Sequence, residues 1–145
     1  MRQTALVIAQ FFLSAAIVLS ANWHPPDGLP VALSLPGVGI AVWAWVTIGL
    51  RNIRIHPSPT DRTQLATSGP YHFIRHPMYA GVLWMTGALL WSNPQWWRAL
   101  AWGVLWLVLF GKATMEEQAM AEQFPDYENL QKRTGMLWPR LGSRK

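Results

Sequence analysis

The chain contains no cysteine among its 145 residues. That removes disulfide frameworks, thiolate metal centres and thiol nucleophiles. Charge is scarce as well: Asp, Glu, Lys and Arg make up 13% of the residues, and only seven are acidic. Ordinary soluble domains carry about 25% charged residues. Here 51% are hydrophobic and ten are tryptophan, so the expected solvent is lipid. The mean hydropathy of +0.12 averages very apolar segments with a polar remainder, and the segments decide the class.

Four runs are candidates to span a bilayer. Residues 4–21 carry no charge over 18 positions, which at about 1.5 Å per residue reaches about 27 Å, near the hydrocarbon thickness of about 30 Å. Residues 29–50 are equally uncharged, and Pro30 and Pro36 place the start of regular helix near Gly37, giving a span over 37–50. Runs 78–93 and 97–115 are separated only by "SNPQ", which makes them an antiparallel helical hairpin. The sequence thus predicts an all-α polytopic membrane protein. It has about four transmembrane helices and short cytoplasmic C-terminal helices in one domain over 1–145. The first run also has the basic start and small-residue end of a cleavable signal peptide. Its apolar stretch exceeds the usual 7 to 15 residues, roughly, and three more spans follow.

Charge distribution gives an orientation. Of twelve Lys and Arg, all but Arg98 fall on the side holding the N-terminus, the loop 51–77 and the tail from about Lys112. Positive charge marks the cytoplasmic side, so both termini and the central loop are expected there, in the inner membrane if the source is bacterial. Topology and attraction to anionic headgroups explain the net charge of +5. No base-stacking pattern accompanies it, and no nucleic-acid partner is expected. Trp23, Trp91, Trp96 and Trp97 fall at expected outer interfaces.

The loop 51–77 is rich in Pro, Ser, Thr and Gly and should be irregular. Beyond the fourth run, "KATMEEQAMAEQF" continues as helix-forming sequence. "FPDYENLQKRTG" then reads as a break at Phe124, a short helix begun near Pro125, and Gly135 as terminator.

Two constellations carry chemical groups. His72 and His76 are four apart, the spacing of metal ligands on a helix. Pro77 biases His76 away from helical dihedrals, and no cysteine or second histidine pair completes a shell. No metal is expected, and an interfacial loop is the bland reading of the stretch. Glu116 and Glu117 follow the fourth run at the membrane boundary. Helix neighbours point about 100° apart, so the two cannot form a carboxylate pair. Either they are solvated and paired with Lys112 at helical spacing, or at least one turns toward the loop carrying Arg75 and His76.

"GPYHFIRHPMYAG", residues 69–81, matches every specified position of the pattern G-x-Y-x-x-x-R-H-P-x-Y-x-G. Some thirty residues later comes "EEQAMAEQFPDYENLQKRTGMLWP". Together they resemble the isoprenylcysteine carboxyl methyltransferases and their relatives among small membrane phospholipid methyltransferases. The resemblance covers Leu65 to Pro139, about half the chain; the first two runs match only as generic apolar helices. It implies a methyltransferase using S-adenosyl-L-methionine, held between the last membrane helices and the C-terminal segment rather than in a soluble Rossmann domain. By position, Tyr71, His76, Tyr79 and Gly81 correspond to cofactor-side residues, Glu116 and Glu117 to the acidic pair associated with the cofactor, and Arg133 to the residue that positions the acceptor. The implied acceptor is a membrane-embedded lipophilic molecule: an isoprenylcysteine-like carboxylate or thiol, or an aminophospholipid. The chain departs from the pattern at Leu130, where the family usually has a second tyrosine.

The chemistry suits such residues. Carboxylates in a low-dielectric setting attract a sulfonium or ammonium and accept from hydroxyls. Imidazole and phenol stack on or hydrogen-bond an adenine. Methyl transfer is a direct displacement, so alignment and exclusion of water are the main tasks. "PGVG" at residues 36–39 suggests a close helix contact through Gly37 and Gly39. Two other readings stand beside the methyltransferase: an NADPH-dependent relative of the membrane sterol reductases, which typically show R-H-x-N-Y where this chain has Arg75-His76-Pro77-Met78-Tyr79, and a non-catalytic membrane scaffold. Oligomeric state is not encoded.

Overall fold

The computed structural model describes residues 2–23, 28–49 and 65–140. The loop predicted to be irregular falls largely outside them, as do Arg51, Arg54, Arg62, Arg144 and Lys145 of the charge asymmetry. The elements are α1 (Arg2–Leu19), α2 (Gly28–Ile48), α3 (Pro77–Leu89), α4 (Trp96–Gln123) and α5 (Tyr127–Arg133), with single 3-10 turns at Gly69–His72 and Leu90–Ser92. Among the described residues there is no strand, only an isolated parallel bridge between Ile74 and Gly135. The all-helical expectation holds.

By length and composition, α2 and α4 are long and apolar enough to cross a membrane, whereas α1 is shorter over its apolar part. α3 has 13 residues, about 20 Å at the helical rise. Large apolar side chains point outward all round, among them Phe12, Leu35, Val46 and Leu107. Such a surface suits lipid and not water.

The start of α2 differs from expectation. The helix begins at Gly28, not near Gly37, and Pro36 lies inside it. Pro30 sits in the first turn, where the backbone N–H groups have no helical partner to lose. Pro36 forgoes one hydrogen bond, a loss that lipid-embedded helices tolerate when their neighbours hold them. α3 supplies that hold: the Trp84 indole donates to the Leu33 carbonyl at 2.9 Å.

α2 and α3 meet backbone to backbone. A Cβ at Gly37 would lie 2.6 Å from the Gly81 carbonyl oxygen, and one at Gly81 would lie 2.5 Å from that of Gly37. Gly39 faces open space, so the expected close contact belongs to Gly37 alone. α1 lies along α4 on the other side, and Ile17, Leu83, Leu105 and Leu109 form the core with Leu137 of the tail.

Arg98, expected as the lone charge of the outer side, is fully buried. Its guanidinium donates to the carbonyls of Ile17 at 3.1 Å and Leu89 at 2.8 Å, and to those of Leu90 and Asn93. The last carbonyls of α1 and α3 have no helical donors, and one planar cation with five N–H groups serves both ends. Asn22 N–H donates to Ser92 Oγ, and Asn93 to the Ser20 carbonyl, fastening the same end. Trp23, Trp91 and Trp96 stand exposed there.

Candidate functional site

At the opposite end of α3 and α4, residues 69–76, the last turns of α4, α5 and the tail converge. Gly69 has φ of +56°, a left-handed backbone that side chains with Cβ adopt only with strain. A Cβ there would also come within 2.6 Å of Thr47 Oγ1. The turn that follows buries Tyr71. His76 is the N-cap of α3, with φ of −120° and ψ of 62°, outside the helical region as the following proline requires. Pro77 then starts the helix without wasting a donor.

The tail folds back on this segment. Gly135 N–H donates to the Phe73 carbonyl, Arg75 N–H to Gly135 and His76 N–H to Met136, at 3.1, 2.9 and 3.0 Å. Arg75 reaches further: its Nη1 donates to the carbonyls of Gln131 and Thr134 at the end of α5. Its other edge grips Glu117, with Nε to Oε1 at 2.6 Å and Nη2 to Oε2 at 3.2 Å. Gln131 Nε2 also donates to Glu117 at 2.9 Å.

Glu116 and Glu117 do not face each other; they bracket one ring. His76 Nδ1 is 3.2 Å from Glu116 Oε2, and Nε2 is 3.3 Å from Glu117 Oε1. The second contact is out of line, so the buried Nε2 has no hydrogen-bond partner among the described residues. Tyr79 stacks on His76, with ring centres 5.6 Å apart and planes within 3°. Its hydroxyl donates to Glu116 at 2.5 Å. Burial alone would push the His76 imidazole down, but the close contacts with the Glu116 and Glu117 carboxylates and their charges outweigh it, and its pKa rises above the ordinary histidine value. The Tyr71 phenol is held above its usual value by burial first and the Glu116 charge second. Tyr127, beneath the Arg75–Glu117 pair, is raised chiefly by burial and then by Glu117.

Of the residues singled out in the sequence, His76, Tyr79, Glu116 and Glu117 are in direct contact, and Tyr71 is buried close by. Gly81 sits at the α2–α3 crossing instead, packed on Gly37. Arg133 is exposed on α5 and forms no hydrogen bond or ion pair with the described residues. Leu130, in the place of the second tyrosine, is half-buried and accepts from Thr134 through its carbonyl. His72 is exposed, edge-on to Phe73, and shares no helix face with His76. The glutamates do not pair with Lys112, which donates to Gln10 on α1.

Arg75 and Gln131 join the site without having been candidates in the sequence. Arg75 had a signal, its fixed place before His76. Gln131 had none, because only the return of α5 brings it to Glu117.

A buried carboxylate and a half-buried one, flanked by an imidazole and two phenols at the end of apolar helices, can hold a cation and accept from hydroxyls. Comparison with known proteins gives the family. The family model for phospholipid methyltransferases matches residues 28–127, which contain the whole first motif and both glutamates. The chain belongs to the phospholipid methyltransferase family. It is similar to the cobalt-zinc-cadmium resistance protein CzcN of Cupriavidus metallidurans, 27% identical over 142 residues. It is also similar to the nickel-cobalt-cadmium resistance protein NccN of Alcaligenes xylosoxydans xylosoxydans, at 26% over the same length. The matches cover 93% of this chain but 62% of each relative. No solved structure matches the chain significantly.

Proposed function

We propose that this chain is an S-adenosyl-L-methionine-dependent methyltransferase acting on a lipophilic acceptor held in the membrane. The acceptor is an isoprenylcysteine-like carboxylate or thiol, or an aminophospholipid. The observation that carries the reading is the His76 imidazole, bracketed by Glu116 and Glu117 and stacked on Tyr79, with a buried Nε2 that lacks an in-line acceptor. Such a donor, beside the buried Glu117 and the partly exposed Glu116, fits a ligand that combines ammonium, sulfonium and hydroxyl groups.

In this reading the cofactor lies within the segment 65–139. Glu116 and Glu117 attract its positive charge, His76 donates through Nε2, and Tyr71 and Tyr79 line the adenosine. When bound, the cofactor would supply an electrophilic methyl carbon on its sulfonium, transferable to an electron pair of the acceptor with the C–S bond breaking and the neutral thioether leaving. The chain's own part is to bind, orient and exclude water. Arg133 positions the acceptor, and its exposure on α5 means it would act from outside the buried cluster. Four helices span the membrane, the short α1 and α3 with local thinning of the bilayer, and both termini and the site face the cytoplasm.

Membranes carrying the protein, supplied with cofactor labelled in the methyl group, test this. Label should enter organic-extractable material and fall at least tenfold in Glu116→Gln. Incorporation no higher than in membranes lacking the protein would contradict the reading.

A further inference from the structure

Lys112 belongs to none of the interactions just assigned. It lies one turn before Glu116 on α4 and is 2% exposed. Its ammonium donates to Gln10 Oε1 at 2.6 Å and stands 5.1 Å from the centre of the Tyr79 ring. It has no salt bridge among the described residues: Glu117 is taken by Arg75 and Gln131, and Glu116 by Tyr79 and His76. Glu116, the nearest carboxylate along α4, acts on it only at a distance and is shared with Tyr79 and His76. A desolvated cation without a direct ion pair is costly, and an ionisable side chain inside a membrane helix marks a functional site by default.

The geometry around it is layered. The Tyr79 ring has the His76 imidazole stacked on it and the Lys112 ammonium over it. Going down α4 away from Glu116, Lys112 is therefore the first charge met on the membrane side of the carboxylate cluster. A lipophilic acceptor entering from the membrane would meet Lys112 before the carboxylates and bring its polar head toward Tyr79. Gln10, the side-chain acceptor of Lys112 among the described residues, is half-exposed and is the one polar side chain in residues 5–13 of α1. Its amide oxygen stands where an anionic oxygen would be held better.

We propose that Lys112 receives an anionic oxygen of the acceptor's headgroup, a carboxylate or a phosphate, displacing the Gln10 amide. The proposal rests on the methyltransferase reading for the word acceptor, but the anion site itself does not. It makes Lys112 a positioning residue, aligning the headgroup beside Tyr79 while the cofactor lies among the carboxylates.

The test uses the full chain in neutral-lipid nanodiscs, with three probes of equal alkyl length: a carboxylate, a phosphate monoester and the uncharged alcohol. Inorganic phosphate is the fourth. Wild type should bind both anionic amphiphiles at least tenfold more tightly than the alcohol and ignore inorganic phosphate. In Lys112→Met that preference should vanish while S-adenosylhomocysteine affinity stays within about threefold. In Gln10→Met, which keeps the ammonium, it should persist. A wild type with no preference for the anionic amphiphiles overturns the proposal whatever the variants do, as does a preference surviving in folded Lys112→Met. Tight binding of inorganic phosphate alone would overturn the lipid source. Anion preference without any S-adenosylhomocysteine binding would leave the Lys112 site standing and remove the methyltransferase reading.

Discussion

Glu117 is the residue on which most of the site turns. It accepts from both edges of contact with Arg75 and from Gln131, and it flanks His76. Neutralising one member of a buried pair leaves the other charge uncompensated, at about 3–5 kcal/mol. Glu117→Gln should therefore lower stability by an amount of that order, read from denaturant melts in detergent. Glu116→Gln, on a more exposed residue, should cost less. His76 gives a pH dependence with a defined sign. Its folded pKa lies above the ordinary 6.5, so the protonated ring stabilises the fold fully below that value, and the contribution is lost as pH rises through the folded pKa. Wild type should lose stability relative to His76→Gln on going from mildly acidic to alkaline pH, and a constant difference between the two across that window would refute the assignment.

The elements show why some features were legible in the sequence and others were not. The α2–α3 crossing depends on two glycines 44 residues apart, Gly37 and Gly81, whose backbones touch. Gly81→Ala should cost about 1–3 kcal/mol through overpacking, whereas Gly39→Ala, facing open space, should be neutral in the same melts. Sequence made Gly37 a contact candidate but attached Gly81 to the cofactor, because a motif fixes neighbours and not partners across the fold. The short helix after Phe124 and its end before Gly135 were readable, since breaks and caps are local. Pro36 misled for the same reason: proline statistics describe an isolated helix, and here α3 holds α2 together. Arg98 looked like an outer-loop charge because nothing local reveals that it closes the ends of α1 and α3.

At the scale of the whole molecule, two ends with different chemistry define the protein. One is closed by Arg98, Ser92 and Asn93; the other gathers Arg75, His76, Glu116 and Glu117. The motif pair contains His76, Tyr79, Glu116 and Glu117 of the second end, while their convergence needed the return of the tail along 73–76. The absence of native cysteine lets topology be read directly. A cysteine placed at Asn93 should react with impermeant maleimide from outside intact cells, and one at Glu122 only after permeabilisation; the reverse pattern would invert the orientation. The central claim is that the carboxylate-bracketed histidine is a cofactor site. Its most direct test is calorimetric titration of the detergent-purified protein with S-adenosylhomocysteine, with NADPH as comparison ligand. The account predicts saturable S-adenosylhomocysteine binding, weakened at least tenfold in His76→Ala and in Glu117→Ala, and none for NADPH. No binding to folded wild type, or preference for NADPH, would contradict it.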